Sequence, residues 1–232
     1  MTIISANLQA VKERIRASAR SAGRDAGAAR LLAVSKGWPA DCVRTAFSAG
    51  QRAFGENYVQ EGVAKIAALD DLALEWHFIG PLQSNKTREV AEHFDWVHSL
   101  DRLKIAERLS AQRPPGLPPL QVCIQVNVSG EDSKSGVAPA EVAALARSVK
   151  SLPGLRLRGL MAIPEASENA ELLRQRFALL RKLLEQLNAE GMQLDVLSMG
   201  MSDDFESAIA EGATILRIGT AIFGQRAKKG SS

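Results

Sequence analysis

Short runs of apolar, β-branched residues alternate along the chain with segments whose apolar residues recur every three or four positions. The runs predict buried strands, and the second spacing predicts helices with one buried face. The clearest helical pattern ends near Gly191 and places five residues on one face, Leu173, Phe177, Leu180, Leu184 and Leu187. We predict eight strands, at 31–35, 53–55, 75–79, 96–99, 121–128, 156–163, 193–198 and 214–218.

Eight strands joined by helices predict the fold class. Helical crossovers return the chain to the same edge, so the strands run parallel, and eight such units close a barrel. We therefore predict an α/β protein, a single (β/α)8 TIM-type barrel, with a doubly wound open sheet as the alternative. Residues 1–232 are assigned to one domain, in which 1–22 form an extra N-terminal helix and 225–232 a flexible C-terminal tail.

Composition narrows the class of protein. Of 232 residues, 46% are hydrophobic and 24% charged, which suits one globular domain. The net charge is only +3 and both signs are interspersed, which argues against a nucleic-acid partner. Two cysteines, Cys42 and Cys123, are too few for a disulfide framework. The N-terminal segment has no apolar stretch long enough for a signal peptide or membrane span, so we predict a cytoplasmic protein that contacts no membrane.

Lys36 directly follows the first predicted strand. In barrels of this type the functional groups gather at the C-terminal ends of the strands, so its amine is expected to project into the barrel mouth above apolar walls. Desolvation there would favour the neutral amine, which attacks aldehydes. A surface lysine at a strand end is the alternative interpretation of this motif alone.

The last two predicted strands end in small, hydrogen-bonding residues at the place where barrels commonly bind phosphate. Glycine lets the backbone approach an anion, and hydroxyl groups and free amides at a helix start donate hydrogen bonds to it. We predict a phosphate cradle formed by Ser198, Gly200, Gly219 and Thr220. Turn formation is the alternative for each residue taken singly. Together with Lys36, the two loops indicate a ligand that carries both a phosphate and an aldehyde.

Arg217 occupies an inward position beside that cradle. Its guanidinium there could donate to the pyridine nitrogen of pyridoxal 5′-phosphate (PLP). A ring nitrogen that faces arginine does not readily hold a proton, so the ring would be a poorer electron sink than one paired with a carboxylate. This arrangement disfavours transaminase-like chemistry. The alternative for Arg217 is a salt bridge across the barrel.

Nearly the whole chain resembles the YggS/PROSC-type pyridoxal phosphate homeostasis proteins, whose fold is related to the N-terminal barrel of alanine racemase. Nine motifs carry the resemblance and are together highly specific. They are AVSK (33–36), FGENYVQE (54–61), WHFIG (76–80), LQSNK (82–86), HSLD (98–101), QVNVSGE (125–131), GLMAIP (159–164), LSMGMSD (197–203) and RIGTAIFG (217–224).

The resemblance implies a PLP cofactor held as a Schiff base on Lys36, with Asn57 beside the ring and Met161 lining the cavity. It also implies phosphate contacts for Ser198, Gly219 and Thr220 and a position near the ring nitrogen for Arg217. Ala162, where related sequences often have threonine, is a small departure next to the cavity. Family members are thought to bind PLP, buffer it and hand it to apoenzymes, without established turnover. The resemblance therefore implies a homeostasis protein whose partners are PLP and PLP-dependent apoenzymes.

Two enzyme classes are the functional alternatives. A PLP-dependent racemase needs two bases, which in alanine racemase are the lysine and a tyrosine supplied across a dimer with a second, β-rich domain. This chain has one barrel and one tyrosine, Tyr58, so we expect a monomer without racemase activity. A phosphosugar-type enzyme would need an acid/base pair such as Glu56 and Asp101 at the mouth, and would leave Lys36 and Arg217 without roles.

For the remaining polar residues we favour structural or solvent-exposed roles over catalytic ones. A three-histidine metal site is disfavoured because His93 falls on a helix, and we expect His77 and His98 to be hydrogen-bonded structural residues. Ser202 is predicted to cap a helix that begins at residues 203–204. The polar loop 130–136 is suited to act as a lid, and its Lys134 to make a second aldehyde or phosphate contact, although plain solvation is the favoured interpretation.

Overall fold

The computed structural model describes residues 2–130, 135–165, 167 and 169–225. Eight strands form a closed barrel, in which each strand pairs in parallel with the next and the last pairs with the first. This confirms the predicted barrel and excludes the open sheet. The strands are β1 (Arg30–Val34), β2 (Ala53–Glu56), β3 (Glu75–Phe78), β4 (Trp96–Leu100), β5 (Leu120–Gln125), β6 (Leu155–Met161), β7 (Val196–Ser198) and β8 (Ile215–Ile218).

One α-helix follows each strand, and the predicted extra helix precedes β1. Short 3-10 turns, Ser84–Lys86 and Pro139–Glu141, lead into the fourth and sixth helices. The helices are α1 (Ile3–Ser21), α2 (Ala40–Ser48), α3 (Val59–Ala68), α4 (Thr87–His93), α5 (Leu103–Gln112), α6 (Val142–Lys150), α7 (Ala170–Ala189), α8 (Phe205–Ala210) and α9 (Thr220–Phe223).

Three strands begin or end two or more residues inside the predicted bounds. β7 begins at Val196 and not at 193, because Gln193 has a φ of 61°, in the left-handed region that an extended strand cannot contain. β5 ends at Gln125, and the next residue, Val126, forms an isolated bridge with Val137. β6 ends at Met161, two residues earlier than predicted.

Alternation along the strands builds two apolar layers. Outward-facing residues pack beneath the helices and form the larger core. Inward-facing residues form a smaller cluster that fills the barrel interior, namely Leu32, Val34, Ile79, Trp96, Cys123, Met161, Val196 and Ile215. At the N-terminal end of the barrel, the guanidinium groups of Arg30 and Arg158 lie 5.1 Å and 5.0 Å from the centre of the Trp96 ring. These inward-facing side chains therefore form a packed core inside the barrel.

Replacing Gly159 by alanine is expected to destabilise the barrel. A Cβ atom at this position in β6 would lie 1.8 Å from the Val196 carbonyl oxygen of β7, so the two strands would have to separate. Overpacking of this kind costs about 1–3 kcal/mol or more. Urea denaturation measures the loss. Gly116→Ala is the matched control, because no atom lies within 4 Å of the added Cβ there; equal stabilities of the two variants would contradict the prediction.

Two sequence predictions fall largely outside the described residues. Of the predicted flexible tail 225–232, only residue 225 is described, and 226–232 lie outside. Lys134 and the rest of 131–134 lie outside as well, so the lid and second-contact hypotheses stay predictions. Within the described ranges, no helix is both long enough and apolar enough to cross a membrane.

Candidate functional site

A cavity of about 220 Å³ opens at the C-terminal end of the barrel. Five residues predicted from the sequence line it: Lys36, Asn57, Arg217, Gly219 and Thr220. A cleft of about 390 Å³ lies at the opposite end, between α1 and the starts of β1 and β2. Because chemistry in such barrels takes place at the C-terminal ends of the strands, the smaller cavity is the candidate site.

Hydrogen bonds hold the backbone on both sides of Lys36. The Ser35 hydroxyl donates to Glu56 Oε1 at 2.6 Å, and Lys65 Nζ donates to the Ser35 carbonyl at 2.7 Å. On the other side, the Gly37 amide donates to Glu61 Oε1 at 2.5 Å. The lysine therefore follows β1 on a fixed segment and not on a loose loop.

Those anchors belong to a buried ion cluster behind the site. Lys65 Nζ lies 2.7 Å from both Glu56 Oε1 and Glu61 Oε1, and the Lys65 and Glu56 side chains are 6% and 0% exposed. Burial raises the pKa of Glu56, while Lys65 and Ser35 oppose the rise. The Glu56 Cβ lies close to Gly62 of α3, so this carboxylate faces the helix layer. The phosphosugar alternative, which needs Glu56 in the mouth, therefore loses its acid/base pair.

Arg217 is held by backbone and hydroxyl oxygens. One terminal nitrogen donates to the Ser198 carbonyl at 2.6 Å and to the Ser198 hydroxyl at 2.8 Å, and the other donates to the Ala162 carbonyl at 2.8 Å. Burial lowers the pKa of Arg217 to about 10, so the group stays a cation at neutral pH. Arg217 forms no ion pair with a carboxylate in the described part of the chain, and the predicted alternative of a cross-barrel salt bridge is wrong.

Three predicted site residues do not line the cavity. The Ser198 hydroxyl lies inside the barrel between Arg217 and His98, 2.7 Å from His98 Nδ1. Gly200 has a φ of 95°, and an added Cβ would lie 2.7 Å from Ala208, so backbone shape and packing explain this glycine. Met161 is fully buried in the interior cluster. Cofactor contacts by these three residues stay predictions, and for Ser198 the two hydrogen bonds compete with a phosphate.

Some cavity residues were missed by the sequence analysis. Ile163 after β6 and Met201, Ser202 and Asp203 after β7 all line the cavity. The prediction that Ser202 caps a helix is wrong, because α8 begins at Phe205 with Asp204 as its N-cap residue. Their position just beyond a strand end was the available signal, since that is where barrel sites form.

None of the three histidines lines the candidate cavity, and neither does Tyr58. His93 is exposed on α4, whereas His77 and His98 are fully buried and hydrogen-bonded to each other at 2.9 Å. Among the residues that the structure describes, no group of three His, Cys, Asp or Glu side chains could hold a metal ion. The Tyr58 side chain is 59% exposed and does not line the cavity.

The cavity offers polar groups that suit a phosphorylated pyridine aldehyde. Asn57 Oδ1 is buried without a hydrogen-bond partner among the residues that the structure describes, so it can accept from a ligand hydroxyl. A Cβ at Gly219 would lie 3.0 Å from the Val34 carbonyl, so this position needs glycine beside the cavity. With the lysine amine and the guanidinium, these residues fit PLP.

Comparisons with known proteins identify the family and the fold. Residues 6–227 match the family model described as "Alanine racemase, N-terminal domain". The "Pyridoxal phosphate homeostasis protein" of Pseudomonas aeruginosa is 63% identical, over 97% of both chains. PipY of Synechococcus elongatus, solved with PLP bound, is 40% identical with a TM-score of 0.83, covering 95% of this chain and 100% of PipY. Alanine racemase of Corynebacterium glutamicum shares the fold, with a TM-score of 0.70 at 16% identity, covering 99% of this chain and 63% of the racemase.

Proposed function

Because the chain belongs to the family of pyridoxal phosphate homeostasis proteins, which share the alanine racemase N-terminal domain, we propose that it binds PLP as a Schiff base on Lys36. In this proposal the protein buffers PLP and delivers it to apoenzymes. One observation carries the proposal: Lys36, Arg217, Gly219 and Thr220 line the same cavity at the C-terminal end of the barrel.

Five residues of this cavity have distinct roles in the proposed binding of PLP. Lys36 supplies the amine for the reversible linkage, and Gly219 and Thr220 hold the phosphate. Asn57 accepts from the ring hydroxyl, and Arg217 faces the ring nitrogen. PLP supplies the aldehyde. A guanidinium cation at the ring nitrogen disfavours ring protonation, so the site suits storage of the cofactor more than carbanion chemistry.

Absence of turnover is part of the proposal. A racemase would need a second base opposite Lys36, and exposed Tyr58 does not reach the cavity.

We further propose that the protein acts as a monomer in the cytoplasm, where PLP-dependent apoenzymes accept the cofactor. Two free thiols, Cys42 and Cys123, suit a reducing compartment. Assays for turnover of L-amino acids, run beside PLP transfer to an apoenzyme, discriminate a carrier from a racemase.

Borohydride reduction of the PLP-loaded protein is expected to fix a pyridoxyl group on Lys36, which peptide mapping by mass spectrometry detects. Lys36→Ala should abolish both this adduct and the visible absorbance of the Schiff base, because the reacting amine is gone. Lys104→Ala, at an exposed position on α5, serves as the control and should keep both signals. A stoichiometric adduct on another lysine of the wild-type protein would overturn the proposal.

A further inference from the structure

A chain of side-chain hydrogen bonds runs through the barrel interior from its N-terminal end to Arg217. Glu75 Oε1 lies 2.6 Å from His77 Nε2, and His77 Nδ1 lies 2.9 Å from His98 Nε2. His98 Nδ1 then lies 2.7 Å from Ser198 Oγ, which lies 2.8 Å from an Arg217 terminal nitrogen. We call these five residues the axial chain.

The axial chain joins a solvent-exposed end to a buried end. The Glu75 side chain is 36% exposed and also accepts from Arg30 at 3.0 Å. The other four residues are buried, with exposures of 0% for His77, His98 and Ser198 and 4% for Arg217. Their inward-facing neighbours are apolar. Because polar groups are costly in such an interior unless each is hydrogen-bonded, a continuous polar chain calls for an explanation beyond packing.

The charges at its two ends determine the direction of every bond. Burial opposes the ionisation of Glu75, but His77 and Arg30 lower its pKa to about 2, so at neutral pH its carboxylate only accepts. Arg217 at the other end only donates. Burial lowers the pKa of His77 and places that of His98 well below its ordinary value, so both imidazoles are neutral.

Both histidines must then carry their proton on Nε2. His77 donates to Glu75, His98 donates to His77 Nδ1, and the Ser198 hydroxyl donates to His98 Nδ1. With the opposite direction, Ser198 Oγ would accept from both His98 and Arg217. Its own proton would then lack an acceptor, since no third side-chain partner of Ser198 Oγ occurs in the described ranges.

This direction has a consequence for Arg217. Because His98 draws the hydroxyl proton of Ser198 toward itself, the lone pairs of Ser198 Oγ face the guanidinium. Without His98 as acceptor, the hydroxyl is free to turn its proton toward the cation, which repels it. Bonds to Ser198 and to the Ala162 carbonyl occupy the inward side of the guanidinium and leave its remaining N–H groups for the cavity.

Resting on the function proposed above, we propose that His98, supported by His77, is a positioning residue that orients Arg217 toward the ring nitrogen of bound PLP. Through Arg217, His98 would set both the affinity for the cofactor and the proton affinity of its Schiff base. Beside burial, the ionisable groups that lower the pKa of His98 are His77 from β3, Arg217 from β8 and Arg30 from β1.

The His98→Phe variant tests the proposal in the PLP-loaded protein. We expect the Kd for PLP to rise about tenfold, the worth of one hydrogen bond to a charged group. The midpoint of the pH titration of the visible absorbance should rise by about one pH unit, because a displaced cation no longer opposes protonation. His98→Gln should restore both values, since its amide offers one acceptor and one donor.

Matched variants separate positioning from loss of structure. Cys123→Ala opens the same interior cluster without removing a member of the axial chain and should leave the titration midpoint unchanged. His77→Phe, one link further from Arg217, should shift the midpoint in the same direction by less. Wild-type affinity and midpoint in His98→Phe would overturn the inference, as would an equal shift in Cys123→Ala.

The free protein provides an independent readout. Nitrogen-15 NMR of histidine-labelled protein without PLP should show His77 and His98 as neutral Nε2–H tautomers, with exposed His93 as the reference signal. A Nδ1–H tautomer or an imidazolium at His98 would overturn the bond direction and the inference with it.

The failure of the proposed function and the failure of this inference are distinguishable. If no adduct forms on Lys36 of the wild-type protein, the proposed function fails. If the adduct forms normally but His98→Phe keeps the wild-type Kd and titration midpoint, only the positioning role fails.

Discussion

The Lys65→Met variant is expected to lose about 3–5 kcal/mol of free energy of unfolding, because it removes one partner of a buried ion pair. Lys65 Nζ donates to Glu56, Glu61 and the Ser35 carbonyl, and Glu56 Oε2 already lacks a hydrogen-bond partner. Without the cation, Glu56 is left as an uncompensated charge in the helix layer, and its pKa rises further. Urea denaturation at neutral pH measures the change.

The same substitution at an ion pair nearer the surface is the control. Lys86 pairs with Glu89 one turn along the chain, with side chains 29% and 37% exposed. Lys86→Met should change stability by less than about 1 kcal/mol. If Lys65→Met costs no more than Lys86→Met, the buried cluster does not stabilise the fold. Since Lys65 also holds the carbonyl next to Lys36, we further expect weaker PLP binding in the Lys65 variant.

Acidification from pH 7 to pH 5 is expected to lower the free energy of unfolding through His77 and His98. The ordinary histidine pKa is 6.5, and burial lowers it for both residues in the folded state. Below pH 6.5 the unfolded chain therefore binds more protons than the folded protein, and stability falls with pH. Each imidazole contributes about 1.4 kcal/mol per pH unit until its folded pKa is reached.

Urea titrations of His98→Phe at several pH values isolate this effect. The variant should show a smaller acid-dependent loss than the wild-type protein, whereas His93→Phe, at an exposed position on α4, should show the wild-type loss. Buried carboxyl groups with a raised pKa, such as Glu56, act in the opposite direction, so the difference between variants is the decisive quantity. A parallel pH dependence in His98→Phe and the wild-type protein would contradict the assignment.

Hydrophobic patterning predicted the barrel because each of its signals is local. Every predicted run overlaps a strand of the structure, and the predicted N-terminal helix is present as α1. Strand ends were harder to predict because they depend on single backbone angles and on distant pairing. The left-handed conformation of Gln193 and the bridge between Val126 and Val137 have no counterpart in the apolar pattern.

Strand-end position identified much of the cavity, including Lys36, Arg217 and Thr220. The direction of a side chain within a strand end was less predictable. Ser198 is the last residue of β7 and faces inward. Its hydroxyl therefore contacts His98, a residue 100 positions earlier in the sequence. Glu56 is likewise buried because it pairs with Lys65 of the following helix. The residue pattern along β2 alone does not indicate this contact.

Closure of the barrel brings its first and last strands side by side, with Leu32 of β1 in register with Arg217 of β8. Lys36 thus follows the earliest strand to be synthesised, whereas its partners in the cavity belong to the latest. A nascent chain still lacking β8 has an amine but neither the guanidinium nor the Gly219–Thr220 loop. In the proposed function, capture of the cofactor therefore has to wait until translation of the final strand is complete.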